Sequence, residues 1–163
     1  VRRFGVPFPP RLRDKIQQIL DDHETRLSAL IPVLREVQNE FGWLSTESME
    51  EVAEELDIPA SSVQNVASFY TMFFTEPVGT HVMWLCRTLS CALRGAEGLE
   101  HHLCKRLGVK TGGTTADGKI TFLEAECLAS CGTAPAMLVD DTLYENLTES
   151  EVDRIVDEIR KRG

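Results

Sequence analysis

Residues 81–91 read His-Val-Met-Trp-Leu-Cys-Arg-Thr-Leu-Ser-Cys. The first six are short, apolar and suited to a buried strand. The strand ends on Cys86, and Cys91 closes a C-x4-C pair at the start of the next element. From Cys91 to Leu107 apolar residues return at helical spacing through Leu93, Leu99 and Leu103, and Gly108 ends that helix. Gly112-Gly113 and Asp117-Gly118 are turn signals. Ile120 to Leu123 is a second strand, and just past it Cys127 and Cys131 form a C-x3-C pair. Ala136 to Val139 is a third strand, which Asp140-Asp141 turns toward a short one near Leu143-Tyr144. Thr148-Glu149-Ser150-Glu151 is a capping box, and Val152, Ile155, Val156 and Ile159 make the buried stripe of a final helix. The second half is therefore a small α/β layout.

The first half is helical. Leu12, Ile16, Ile19 and Leu20 mark a helix over Arg11–Asp22. Leu27, Leu30, Ile31, Leu34, Val37 and Phe41 mark a second over Arg26–Phe41, with Pro32 either starting its main body or kinking it. Gly42 ends it. Ser45 is the N-cap of a third helix, with Glu47, Glu50 and Glu51 in the first turns and Met49, Val52, Ala53 and Leu56 on its apolar face. After Pro59, Ser61 or Ser62 caps a fourth helix running through Val63, Val66 and Ala67 toward Phe69. The whole is α+β: a small helical bundle over residues 1–77, then an α/β domain with a mixed sheet over 78–163.

The chain has 163 residues, 42% hydrophobic and 26% charged, which suits a globular protein with a real core. No apolar run is long enough to cross a bilayer. Val1-Arg2-Arg3-Phe4 has no apolar stretch after it and does not read as a signal peptide. A net charge of −9 argues against nucleic-acid binding and suits a solvated surface or a basic protein partner. Five cysteines without an export signal point to metal ligands or redox groups, and the odd count argues against a complete disulfide framework.

Both cysteine pairs sit at strand exits. If the two strands are parallel neighbours, Cys86, Cys91, Cys127 and Cys131 converge at one sheet edge. Four thiolates suit a [2Fe–2S] cluster, two for each iron. They also suit structural zinc on spacing. A dithiol redox motif fits less well, because neither pair has the two-residue spacing. Ala129, Ser130, Gly132, Thr133 and Ala134 let the backbone come close to the second pair. Arg87 and Arg94 are the nearest cations, either offsetting cluster charge or simply lying on the surface. Cys104 lies beside Leu103 and Leu107 with no partner at ligand spacing and reads as a buried free thiol. His101 and His102 read as surface residues, and His23 and His81 belong to no local cluster.

The run Ala67-Ser68-Phe69-Tyr70-Thr71-Met72-Phe73 leads into Pro77-Val78-Gly79. Cys86, Cys91, Leu93 and Gly95-Ala96 come next, and then Glu126-Cys127-Leu128, Cys131 and Ala134-Pro135. Together these resemble the thioredoxin-like [2Fe–2S] ferredoxin subunits of NADH:quinone oxidoreductases, over nearly the whole chain. The resemblance implies a thioredoxin-like fold after about residue 78, with Ala134-Pro135 the candidate for a cis bond. It implies one [2Fe–2S] cluster on Cys86, Cys91, Cys127 and Cys131, and FMN and NADH only on a partner subunit. It further implies that the cluster takes single electrons from that flavin as a side branch for storage. The family commonly has Gly where this chain has Ala129, so a positive φ there would strain the alanine.

No G-x-G-x-x-G and no acid–base pair is present, so no catalytic residue is assigned. The implied place is cytoplasmic, in the peripheral arm of a membrane-associated complex, without insertion into the bilayer. Phe4, Phe8, Trp43 and the aromatics of 69–74 are candidates for burial against the partner, or for core packing. Two alternatives stay open. One is the equivalent subunit of an NAD-reducing hydrogenase or an NAD-dependent formate dehydrogenase. The other is a zinc-stabilised binding module with no redox role.

Overall fold

Two prolines set the start of the first helix, α1 (Pro10–Asp21): Pro9 is its extended N-cap and Pro10 its first residue, where a missing N–H costs nothing. The computed structural model describes residues 8–161, so Phe4 lies outside the described residues. The chain divides into two compact units, one up to Pro77 and one from Val78.

The first unit continues with α2 (Leu30–Phe41), α3 (Thr46–Leu56) and α4 (Ala60–Phe69). The second helix begins at Leu30 rather than Arg26. Thr25 and Ser28 take up the preceding turn instead: the Ser28 N–H donates to the Thr25 hydroxyl at 3.1 Å and the Ser28 hydroxyl to the Thr25 carbonyl at 2.7 Å. Leu27, expected on the buried face, is therefore exposed. Pro32 falls in the first turn of α2, where its missing N–H breaks no helical bond. Gly42, at φ 83°, ends α2, and the Ser45 hydroxyl caps α3 by accepting from the Ser48 N–H at 3.1 Å. Helix α4 starts straight after Pro59, ahead of the serines expected to cap it. Leu12, Ile16, Leu34, Val37, Leu56 and Val63 meet in one core, which also takes in Phe8 and Phe73. Those two aromatics thus pack within the unit. Phe69 is 78% exposed.

The second unit holds β1 (His81–Cys86), α5 (Leu89–Leu93), α6 (Ala96–Leu107), β2 (Ile120–Ala125), β3 (Met137–Val139), β4 (Thr142–Tyr144) and α7 (Glu149–Lys161). The four strands form one mixed sheet in the order β2-β1-β3-β4. Strands β1 and β2 run parallel with Cys86 opposite Ala125, while β3 pairs antiparallel with both β1 and β4. The helix expected from Cys91 to Leu107 is two helices, because Gly95 adopts φ 95° between them. Leu93, expected on the buried stripe, consequently lies exposed on α5. Met83, Leu85 and Phe122 from the sheet share a core with Leu99, Leu103, Val152, Ile155 and Ile159. Cys104 is half-buried rather than buried, with its sulfur 3.8 Å from the Thr111 hydroxyl. The Ala134–Pro135 bond is cis.

The segment 112–118 folds back along β2. Gly112 N–H donates to the Phe122 carbonyl at 2.8 Å, Phe122 N–H to the Gly113 carbonyl at 3.0 Å, and Thr115 N–H to the Ile120 carbonyl at 2.8 Å.

His102 is not the plain surface residue expected. Its Nε2 lies 2.9 Å from Asp153 on α7, and Arg106, one turn on, pairs with Asp153 and Asp157. Hydrogen bonding to His102, helped by the charges of His102 and Arg106, holds the Asp153 carboxyl below its ordinary range. A depressed folded-state value stabilises above the ordinary carboxylate range, and that contribution is lost as pH falls through the depressed value. Asp153→Asn should therefore melt below wild type at pH 7, with the difference closing as pH falls below about 4 in thermal scans.

Gly79 sits where β1 is fed into the sheet. A Cβ there would meet the backbone of Lys119 and Ile120 at 2.9 Å, and the Gly79 N–H donates to the Thr121 hydroxyl at 2.6 Å. Gly79→Ala should cost about 1–3 kcal/mol, read as a lower urea midpoint at unchanged m-value.

Candidate metal centre

Parallel pairing of β1 and β2 brings their carboxyl ends side by side, so the loop after Cys86 and the loop after Ala125 leave the same sheet edge. Cys86, the last residue of β1, is buried and donates its N–H to the Ala136 carbonyl at 3.0 Å. Cys91 is also buried, in the middle of the one-turn helix α5 and not at the start of a long one. The Cys127 and Cys131 thiols are exposed. Among the described residues no disulfide joins any of the five cysteines.

Backbone N–H groups face the sulfurs. Burial pushes the Cys86 thiol up, but the N–H groups of Leu128 and Thr88, the Thr88 hydroxyl and the Cys91 thiol outweigh it, and the net direction is down. The Leu128 amide comes from the opposite loop, so the second loop's backbone reaches the first loop's sulfur. Cys91 moves the other way: burial pushes it up, as do hydrogen bonding to Cys86 and the charges of Cys86 and Cys131, against the Ala136 amide. Cys86 and Cys91 thus act on one another, and Cys91 lies within electrostatic reach of Cys131. The Cys127 sulfur accepts from the Ala129 N–H at 3.3 Å. Among the described residues no three Cys, His, Asp or Glu side chains close around a point as ligands of a single ion. Thiols held in place by amide N–H groups on two facing loops are a donor set that fits an iron–sulfur cluster.

Arg87 forms ion pairs with Glu126 at 2.6 Å and Glu124 at 3.8 Å, which neutralise it locally. Arg94 is exposed. Two contributors were missed at the level of sequence: the Thr88 hydroxyl, 3.6 Å from the Cys86 sulfur, and Glu145, which the Ser130 and Thr133 hydroxyls meet. Thr88, two residues after a cysteine, carried a readable signal. Glu145 carried none.

The chain is similar to known proteins. The family model of the thioredoxin-like [2Fe-2S] ferredoxins matches residues 16–160. The chain belongs to this family. The E subunit of the NADH-quinone oxidoreductase of Escherichia coli strain K12 is 34% identical over 145 residues, 89% of this chain and 87% of that one. The second E subunit of the same enzyme in Rhizobium meliloti strain 1021 is 38% identical over 149 residues, 91% and 89% of the two chains. In fold, the chain is similar to part of an NAD+-reducing [NiFe]-hydrogenase in its H2-reduced state, with a TM-score of 0.70 at 22% identity. That match covers 80% of this chain but only 22% of the hydrogenase chain.

Within this thioredoxin-like ferredoxin, Ala129 adopts φ 58°, the left-handed conformation that glycine takes freely. Its methyl group is strained there by about 1 kcal/mol. Ala129→Gly should raise stability by up to about that amount, seen as a higher denaturant midpoint.

Proposed function

We propose that this chain is the electron-transfer subunit of an NADH:quinone oxidoreductase, with Cys86, Cys91, Cys127 and Cys131 holding one [2Fe–2S] cluster. The observation that carries the reading is the placement of two cysteine pairs at the exits of paired parallel strands, with loop amides turned toward the sulfurs. Two pairs suit two irons, whereas one zinc needs all four sulfurs around a single point. The roughly one-third identity to NADH-quinone oxidoreductase relatives, over most of both chains, supports the choice of host complex.

When bound, the cluster supplies a one-electron redox centre. The residues of this chain do the rest. The four thiols give up their protons on loading. The amides of Thr88, Leu128, Ala129 and Ala136 stabilise the thiolate charge that loading creates. The flavin and NADH belong to a partner subunit, which passes on electrons singly, and this chain stores one beside the main path. The chain itself contributes no acid, base or nucleophile to the chemistry. The helical unit serves as the docking element, with exposed Phe69, Tyr70 and Met72 facing the partner. The place is the peripheral arm of a membrane-associated complex. Among the described residues no helix is long and apolar enough to cross a membrane.

Iron and acid-labile sulfide assays on anaerobically purified protein test the reading. Two of each per chain, with a reducible [2Fe–2S] EPR signal, are expected, and stoichiometric zinc with neither would sink it. Serine at Cys86, Cys91, Cys127 or Cys131 should disturb the signal, while Cys104→Ser should leave iron content and spectrum unchanged.

A further inference from the structure

The turn that carries Cys131 is held from outside its own loop. Cys131–Thr133 forms a single 3₁₀ turn between β2 and β3. One carboxylate oxygen of Glu145, the residue after β4, accepts from both the Ser130 and the Thr133 hydroxyls. Those hydroxyls lie 2.8 Å from each other, so the three side chains close a ring of contacts. The backbone repeats the attachment. Asn146 N–H donates to the Thr133 carbonyl at 2.7 Å, and Leu147 N–H to the Pro135 carbonyl at 3.1 Å. Ser130 directly precedes Cys131 and Thr133 lies two residues after it. Fixing both hydroxyls therefore fixes the chain on either side of the thiol. The same two hydrogen bonds hold the Glu145 carboxyl below its ordinary range, so it is charged at neutral pH.

We propose that Glu145 is the positioning residue of the Cys127–Cys131 half of the centre. Its carboxylate pins the turn that orients Cys131, and its fixed charge opposes adding an electron to what the thiols hold. The inference rests on the reading of the four cysteines as cluster ligands. The sign of the second effect comes from Coulomb's law: a negative charge near a redox centre disfavours reduction, so removing it moves the potential upward. The two effects separate by substitution. Glu145→Gln keeps an acceptor oxygen for the hydroxyls and removes the charge. Glu145→Ala removes both. Ser130→Ala with Thr133→Val breaks the hydroxyl bonds and leaves the charge.

The experiment uses the full chain with its cluster, purified anaerobically. Iron and sulfide are assayed first in wild type: their absence there defeats the cluster reading itself and, with it, this inference. With the cluster present, loss to a chelator is followed optically and the midpoint potential by EPR-monitored titration. Glu145→Ala should lose its cluster about tenfold faster than wild type. Glu145→Gln should retain it nearly as wild type does, but with a potential shifted to more positive values. The Ser130→Ala, Thr133→Val pair should lose it faster at an unshifted potential. Should Glu145→Ala not fold by circular dichroism, the hydroxyl pair carries the positioning test. Wild-type retention in that pair, or in folded Glu145→Ala, overturns the positioning role. A wild-type potential in Glu145→Gln overturns the charge effect.

Discussion

The parallel pairing of β1 with β2 is the constraint on which the rest of the second unit depends. Parallel strands leave a sheet in the same direction, so the segments after them emerge together. Only because Cys86 lies opposite Ala125 do two loops far apart in sequence share one edge. A slip of one residue would turn every side chain of β1 to the other face, taking Met83 and Leu85 out of the core. Gly79 lets β1 approach the 119–120 backbone closely, and the buried Thr121 hydroxyl receives the amide there.

The site built on that edge is mostly backbone. Arg87, the cation that follows Cys86, is occupied by Glu124 and Glu126. The Cys86 and Cys127 sulfurs are met by amide N–H groups, which are fixed in direction and carry no net charge. This fits a chain with a net charge of −9. The second loop achieves its shape with Ala129 in the left-handed region and with the carboxylate of Glu145 bridging two hydroxyls.

Local signals in the sequence carried much of the fold. The apolar run of β1, the cap at Ser45 and the stripe of α7 each came from spacing that no distant contact overrode. What failed were places where a short-range device beat periodicity. Thr25 and Ser28 kept Leu27 out of α2, and Gly95 cut one expected helix into two and exposed Leu93. At the candidate centre, the cysteine pairs were visible because their spacing is local. The strand order that sets them side by side was only a condition to be met. The left-handed turn at Ala129 was visible through family resemblance alone. Glu145 and His102 were not legible, because each acts on residues brought near by folding: Ser130 is 15 positions from Glu145, and Asp153 is 51 from His102.

The backfolded 112–118 segment has a further consequence. In the order β2-β1-β3-β4, strand β2 is an outer strand, and a bare outer strand offers unpaired N–H and C=O groups to any other chain in extended form. Here Ile120 and Phe122 already give their outward carbonyls to Thr115 and Gly112. The opposite border, β4, has only three residues. A protein whose work requires association with other subunits has thereby closed one route to uncontrolled assembly with copies of itself.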